Sequence, residues 1–508
     1  MSIWNWIGAS PEITDSIPEI SESISLVRKI QNSEPTPEQR NKALKNICNL
    51  KVIFSNARLR ASVISQIPKD IIDSYPSIKK AVQLHYQIGS ESPSNDQLSE
   101  FASCLGANID KQLDASNSCD LPSATDSPSY SLYEYQNVVV NKSNSLLLSG
   151  AKRFLIHMPT GTGKTRTAMA LISLWLNSSK GSVVWATYSR ELIDQAREEF
   201  IKCWNLTGFK KIKISYFTGE KDTINEDFDI CFASLSKLGR CSRSYATEDY
   251  KAIADRISLV VIDEAHQAIA QSYGEAIDRL CRNNRKIQIV GLTATPGRTT
   301  DAENSSDTDM SRFFRQEKVQ LEVKGYKSPI DYLISNGYLA EPKYIEIDLE
   351  RFAEQSNAEI TVQLCVDAIN DGHSRIIAFS ESIDQAKVAT SALNALGHET
   401  YFIDGMTPMN RRNQVYNAFK SEAPKPILIV NWGVLTTGFD APKTSAVVIS
   451  RPINSLIVYS QIIGRALRGL SAGGTRSASI YNVYKKKDDS FRDLVKSFMH
   501  WNAIWRNQ

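Results

Sequence analysis

Residues 153–165 read Arg-Phe-Leu-Ile-His-Met-Pro-Thr-Gly-Thr-Gly-Lys-Thr. An apolar run ending at His157 passes into the glycine turn Pro159–Thr165, and a helical stretch over 166–176 begins directly after. Glycines let successive backbone N–H groups turn inward around an anion, and the helix N-terminus adds partial positive charge. Thr160, Gly161, Thr162 and Gly163 form the candidate phosphate-binding turn. Lys164 is placed for the β- and γ-phosphates of a nucleotide, and the Thr165 hydroxyl for Mg²⁺. Met158 stands where the strict pattern carries Gly or Ala, so the turn alone is a moderate signal.

Outward from this turn the same alternation recurs. Short apolar runs at 153–157, 183–187, 212–217, 229–233, 259–262 and 287–292 are separated by helical stretches. The pattern restarts after Pro342 with runs at 344–347, 376–380, 400–403, 427–431, 446–450 and 478–483. Runs apolar on both faces, separated by helices, predict parallel sheets covered on both sides. The expected architecture is α/β, with two tandem parallel-sheet lobes at 132–300 and 342–485 and a connection at 301–341.

The flanks differ from this body. Residues 1–114 read as a small, mainly helical region: Thr36-Pro37-Glu38-Gln39 supplies an N-cap, a first-turn proline and a capping-box partner. A second helix is expected from Asp96 to Leu105. Residues 115–131 are rich in Ser, Asp and Pro and read as a linker. At the other end, Phe491, Leu494, Val495, Phe498 and Trp505 fall at helical spacing, predicting that 486–508 pack as a helix closing the second lobe.

Bulk properties set wide limits. A chain of 508 residues exceeds the size of one core. The net charge of +3 is nearly neutral; the first 130 residues are slightly acidic, leaving about +6 for the remainder. Nucleic acid is permitted as a partner by that balance but not argued for by it. Eight scattered cysteines without C-x-x-C spacing fit reduced thiols better than zinc or a disulfide framework. No basic n-region opens the chain and no apolar run is long enough to span a bilayer, so a cytoplasmic location is expected.

Two further motifs complete a nucleotide site. Asp263-Glu264-Ala265-His266 follows the run at 259–262, which puts both acids at the carboxyl end of a buried strand. Asp263 is the candidate Mg²⁺ anchor, and Glu264 is placed to orient and deprotonate an attacking water. In Gln461-Ile462-Ile463-Gly464-Arg465-Ala466-Leu467-Arg468, the spacing predicts Arg465 and Arg468 on one face of a short helix. Two guanidinium groups aimed at a γ-phosphate would stabilise the charge of the transition state. Gln461 joins them as a candidate catalytic residue.

With these motifs in order, the chain resembles a superfamily 2 helicase with two RecA-like lobes, over roughly 132–483. TATPGR (293–298), GFDAP (438–442) and QIIGRALR (461–468) resemble the restriction-motor and DNA-repair branch. The resemblance implies that Gln136, in Leu132-Tyr133-Glu134-Tyr135-Gln136, reads the adenine base, although the family usually has arginine where Tyr133 stands. It implies that Thr293, Thr295 and neighbouring His266 couple hydrolysis to lobe closure, and that Gly438 and Asp440 touch the nucleotide. Backbone contacts to nucleic acid are implied for Arg190, Ser234, Ser380 and Thr436, within stretches that equally read as strand–loop–helix junctions. Glu322-Val323-Lys324 has nuclease-like spacing, but it lacks a partner acid on a preceding strand. Lys210, Lys211 and Lys213 read as the solvated start of a strand.

The implied activity is an ATP- and Mg²⁺-dependent helicase or translocase on DNA. The same engine acting on RNA remains open, as does an ATP-switched nucleic-acid sensor that recruits a protein partner through residues 1–114.

Overall fold

The computed structural model describes residues 13–14, 17–45, 50–89, 93–105, 130–178, 181–218, 227–243, 254–267, 271–295, 305–323, 325–436, 439, 441–453, 455–484 and 505–507. Two parallel sheets organise the chain. The first contains β1 (Arg153–His157), β2 (Ser182–Thr187), β3 (Ile214–Phe217), β4 (Ile230–Ser234), β5 (Ile257–Ile262), β6 (Gln288–Thr293), β7 (Glu317–Gln320) and β14 (Arg506–Asn507). Its order is β14-β7-β1-β6-β5-β2-β4-β3. The second contains β8 (Glu341–Asp348), β9 (Arg375–Phe379), β10 (Glu399–Ile403), β11 (Ile427–Asn431), β12 (Ala446–Ile449) and β13 (Ser477–Tyr484), in the order β10-β11-β9-β12-β13-β8.

The sequence dictates this arrangement through burial. The strands β4, β6, β9, β11 and β12 are buried at every position. Such strands must be covered on both faces, which parallel strands with crossover helices achieve. β1 lies between β6 and β7, with Leu155 opposite both Gly291 and Lys318. That central place delivers the glycine turn to the carboxyl edge of the first sheet. One apolar cluster runs from Tyr135 and Ile156 through Leu339 and Ala340 to Leu467 and Ile480, joining the two lobes.

Two expectations about the connections are corrected. The stretch 301–341 is not a plain link: β7 belongs to the first sheet, while Leu339 bridges Arg468 and Ala340 donates to the Leu467 carbonyl on the second lobe. Trp505 is buried in the core beneath the first sheet and β14 pairs with β7, so residues 505–507 join the first lobe, where the expectation put this segment on the second. Most of the expected C-terminal helix and of the linker lies outside the described residues.

The helical region caps itself as its sequence predicts. Thr36 and Gln39 exchange hydrogen bonds of 2.9 and 3.3 Å, and a second capping box at Ser94 and Gln97 opens the Asn95–Cys104 helix. Its core gathers Ile20, Phe54, Val63, Ala81 and Phe101. The helices Pro18–Gln31 and Pro37–Lys45 pack on the second-lobe helix Ile383–Ala395, with Leu26, Val27 and Ala43 buried against its apolar face. The Ser23 hydroxyl donates to Ser391 at 2.8 Å, and Ser391 to the Ala43 carbonyl at 3.0 Å. Lys29–Glu359 and Glu19–Lys387 add ion pairs at the rim. No helix among the described residues is long and apolar enough to cross a membrane.

Candidate functional site

The glycine turn owes its shape to local bonds. Gly161 and Gly163 hold φ of 90° and 77°, open to glycine and strained for other residues. The Thr162 hydroxyl donates to Pro159 at 2.7 Å, and its carbonyl accepts from the Tyr135 hydroxyl and the Gln136 amide, each at 2.9 Å. The Gln136 oxygen also accepts from the Tyr133 N–H at 3.0 Å. Gln136 thus braces the turn as well as capping its own helix. A side chain at Gly163 would strike that amide, at 2.5 Å. Tyr133 and Tyr135 pack against Tyr338, with ring centroids 4.7 and 4.9 Å away.

Lys164 and Thr165 open the Lys164–Asn177 helix, both mostly but not fully buried. Burial lowers the Lys164 ammonium pKa, opposed by the charges of Glu264 and Asp263 and reinforced by Arg465 and Arg468. All five groups therefore share one electrostatic neighbourhood. Burial and then Glu264 push the Asp263 carboxyl up to about 7, with Lys164 opposing. The Glu264 N–H donates to Asp263 at 3.0 Å. Glu264 itself holds φ of 49°, a left-handed conformation costly for a glutamate and typical of functional positions. Buried His266 faces Glu264 across 3.4 Å.

The segment Thr293–Thr295 is tied to the glycine turn from below. Thr293 and Thr295 are buried and bond each other at 2.9 and 3.0 Å. Met158 donates to the Thr293 carbonyl, and His157 Nε2 lies 3.1 Å from the Ala294 carbonyl. The Ala265–Gln267 turn that carries His266 packs on β6.

The arginine segment departs from its expectation. The helix Leu456–Ile463 ends before either arginine, and Arg468 sits in an extended bridge with Leu339. Gly464 lies so close to Thr160 that a Cβ would meet its Cγ2 at 2.2 Å, and Gly469 donates to the Tyr338 carbonyl. These contacts draw the chain out of the helix. Arg465 donates to the carbonyls of Thr436 and Phe439 in its own lobe, whereas Arg468 donates across the cleft to the Gly161 carbonyl. Gln461 is buried on the preceding helix. Gly438 and Asp440 lie outside the described residues.

The implied nucleic-acid residues divide. Arg190 is exposed at the start of the Arg190–Thr207 helix, and Thr436 is partly exposed. Ser380 is buried, with its hydroxyl donating to Asn357 at 2.8 Å, and Ser234 is buried against Ser236 at 2.7 Å. Both hydroxyls are thus engaged by protein partners in this conformation. Lys210 and Lys213 pair with Asp229 and Asp227, as solvated strand starts would. Glu322 pairs with Lys142.

Sequence reasoning missed a second bridge between the lobes. Glu191 of the Arg190–Thr207 helix pairs with Arg412 of the second-lobe helix Met409–Lys420, and Arg412 also donates to the carbonyls of Asp404 and Gly405. One turn on, Tyr416 packs against Phe439 at 4.3 Å, whose carbonyl holds Arg465. Nothing in the local sequence pairs a first-lobe glutamate with an arginine 221 positions away.

Comparison with known proteins fits this geometry. Residues 129–298 match the family model "Type III restriction enzyme, res subunit", and residues 358–469 match "Helicase conserved C-terminal domain". The chain is 25% identical over 392 residues to the Type I restriction enzyme EcoAI endonuclease subunit of Escherichia coli, covering 71% of this chain and 46% of that protein. It is 28% identical over 178 residues to the ATP-dependent DNA helicase MPH1 of Coccidioides immitis, covering 34% and 16%. It spans about half the length, or less, of these relatives. Among solved structures, the DUF1998 helicase MrfA bound to DNA aligns with a TM-score of 0.53 at 14% identity, over 70% of this chain and 49% of that one. The ATP-dependent Type ISP restriction-modification enzyme LlaBIII bound to DNA aligns at 0.51 and 18%, over 73% and 30%. Both show likeness of fold.

Proposed function

This chain belongs to helicase superfamily 2, and we propose that it is an ATP-driven motor that moves along DNA or separates its strands. The observation that carries the reading is the contact of Arg468 with Gly161 across the cleft, with Gly464 seated on Thr160. A phosphate loop touched from the opposite lobe makes nucleotide occupancy and lobe position one equilibrium.

In this reading the turn from Thr160 to Gly163 cradles the phosphates and Lys164 neutralises them. Glu264 orients the attacking water and accepts its proton, with His266 beside it. Arg468 reaches the transferring phosphoryl group once phosphate displaces it from Gly161, and Arg465 follows, held meanwhile to the loop of Thr436 and Phe439. Mg²⁺ suits the donors present: one buried carboxylate, Asp263, and the Thr165 hydroxyl, with phosphate oxygens completing the shell. Among the described residues no group of three or more His, Cys, Asp or Glu could hold a metal without such help. When bound, the ion would offset negative charge on the phosphates.

DNA is favoured over RNA because the relatives include a DNA helicase and a restriction-enzyme subunit. The deciding experiment measures ATP hydrolysis with single-stranded DNA, duplex DNA and RNA at matched salt, alongside Lys164→Ala. Stimulation by DNA that Lys164→Ala abolishes supports the motor. Stimulation by RNA alone, or full turnover in the variant, overturns it.

An ATP-switched assembly factor is the second reading, favoured by the docking of the helical region on the second lobe. Hydrolysis without strand displacement or movement would select it. A cytoplasmic location suits the free cysteines among the described residues.

A further inference from the structure

Three exposed, large apolar side chains gather at one end of the second sheet. Met406 is 86% exposed, Met409 44% and Trp432 38%. Met406 and Met409 follow β10, Trp432 follows β11, and those strands are neighbours. The Trp432 N–H still donates to the Ile403 carbonyl at 3.3 Å, so the two turns leave the sheet side by side. Exposed apolar residues scattered singly are ordinary; three in the segments that follow two adjoining strands, Met409 at the start of its helix, call for a partner.

The indole is held in place. Its Nε1–H donates to the Glu381 carbonyl at 2.8 Å, and Glu381 follows β9 on the far side of β11. Trp432 therefore spans the carboxyl ends of two strands. The chain then turns through Gly433, left-handed at φ of 69° with open space around it. Four residues after Trp432, the Thr436 carbonyl holds Arg465. The ring thus stands on the loop that connects the arginine segment to the candidate backbone contact at Thr436. A ring already fixed by a hydrogen bond loses little freedom when a flat partner stacks on it.

Resting on the DNA reading above, we propose that Trp432 is a stacking platform for an unpaired nucleobase of the bound strand, with Met406 beside it as an adaptable apolar flank. Base stacking needs a π-face and no particular hydrogen-bond pattern, so it adds grip without sequence preference. That suits a motor whose remaining contacts are to a uniform backbone. It also places a base contact at the far end of the loop that senses Arg465, so stacking and lobe position act on one segment.

The test compares a single-stranded DNA oligonucleotide with one of equal length built of abasic sites, so that charge and backbone are matched. Wild-type protein should bind the normal strand at least about fivefold more tightly, the scale of one stacked base. Trp432→Ala should bind both strands alike, and Trp432→Phe should keep part of the difference. Thermal melting checks the fold of each variant. The wild-type comparison needs no variant, so misfolding cannot leave the question undecided. Equal wild-type affinity for both strands, tight binding of duplex alone, or an undiminished preference in folded Trp432→Ala would each overturn the assignment while leaving DNA as the substrate. Failure to bind any DNA would remove the DNA reading and this platform together.

Discussion

Arg468 of the second lobe donates its guanidinium to the carbonyl of Gly161 in the first, 307 positions away. The carbonyl is a placeholder of modest strength, and a phosphate oxygen is the stronger acceptor for a guanidinium. Arg468→Ala should therefore lower DNA-stimulated kcat by about 10³ or more, the scale of a lost arginine finger. Nucleotide affinity should change only a few-fold. Arg468→Lys should recover little, since a point charge does not reproduce the planar fork. Steady-state kinetics with a nucleotide titration check this; a pure KM effect would count against the assignment.

Gly464 offers a test that removes no charge. A Cβ there would meet Thr160 at 2.2 and 2.5 Å and the Ser460 carbonyl at 3.0 Å. Gly464→Ala should hold the lobes apart by a fraction of an ångström to an ångström, and such displacements cost on the order of 10²-fold in rate. The melting temperature should move little, because the substitution removes no buried apolar side chain from either sheet's core. Wild-type turnover in Gly464→Ala would show that closure does not need this approach.

The pair Glu191–Arg412 makes a coupled prediction. Its glutamate side chain is about one-third exposed, which weakens the attraction, but its arginine is nearly buried. Glu191→Ala and Arg412→Ala should each reduce DNA-stimulated turnover about three- to tenfold, and the double variant should lose no more than either. A double-mutant cycle reads the coupling, expected at about 1 kcal/mol. Additive losses would mean that the residues act apart.

Much of this site was legible in the sequence because its signals are local. The glycine turn, the acids after a buried run and both capping boxes depend on neighbours a few residues away. The destinations of the arginines were not legible. Ala466 and Leu467 continue an apolar helical pattern, and only the approach of Gly464 to Thr160, with the pairing of Leu339 to Arg468, ends the helix early. The strand β7 was hidden because it carries Glu317 and Lys318, and Lys318 is fully buried. The partners of Ser380 and Ser234 were not legible either, since serine at a strand end serves a cap, a core bond or a ligand equally well; Asn357 and Ser236 take the two hydroxyls here.

His157 supplies a pH dependence. Burial, reinforced by the Lys318 charge, holds its imidazole well below the ordinary 6.5. The folded protein keeps this ring neutral while the unfolded chain protonates near 6.5, so stability is present above that value. It is lost as pH falls from there toward the depressed folded pKa. Between pH 7 and 5 the contribution should therefore decline. His157→Gln, which keeps an amide near the Ala294 carbonyl, should flatten that part of the curve. Denaturant unfolding across the range checks it; equal slopes in both proteins would assign the loss to other groups.

The helical region should travel with the second lobe, although the chain connects it to the first. Val27 is fully buried in the same cluster as Ala389, Ala392 and Leu393, and the Ser23–Ser391–Ala43 hydrogen bonds continue that seam. Val27→Asp would bury an uncompensated carboxylate there, at a cost of about 3 kcal/mol or more. Detachment should follow before either sheet unfolds, because the helical core around Phe54 and Phe101 is separate. Cleavage at a protease site inserted into the Ser-, Asp- and Pro-rich stretch 115–131 should then release the helical region of Val27→Asp, whereas cut wild-type protein keeps it bound through gel filtration. Co-elution of the cut variant would place the main anchor elsewhere.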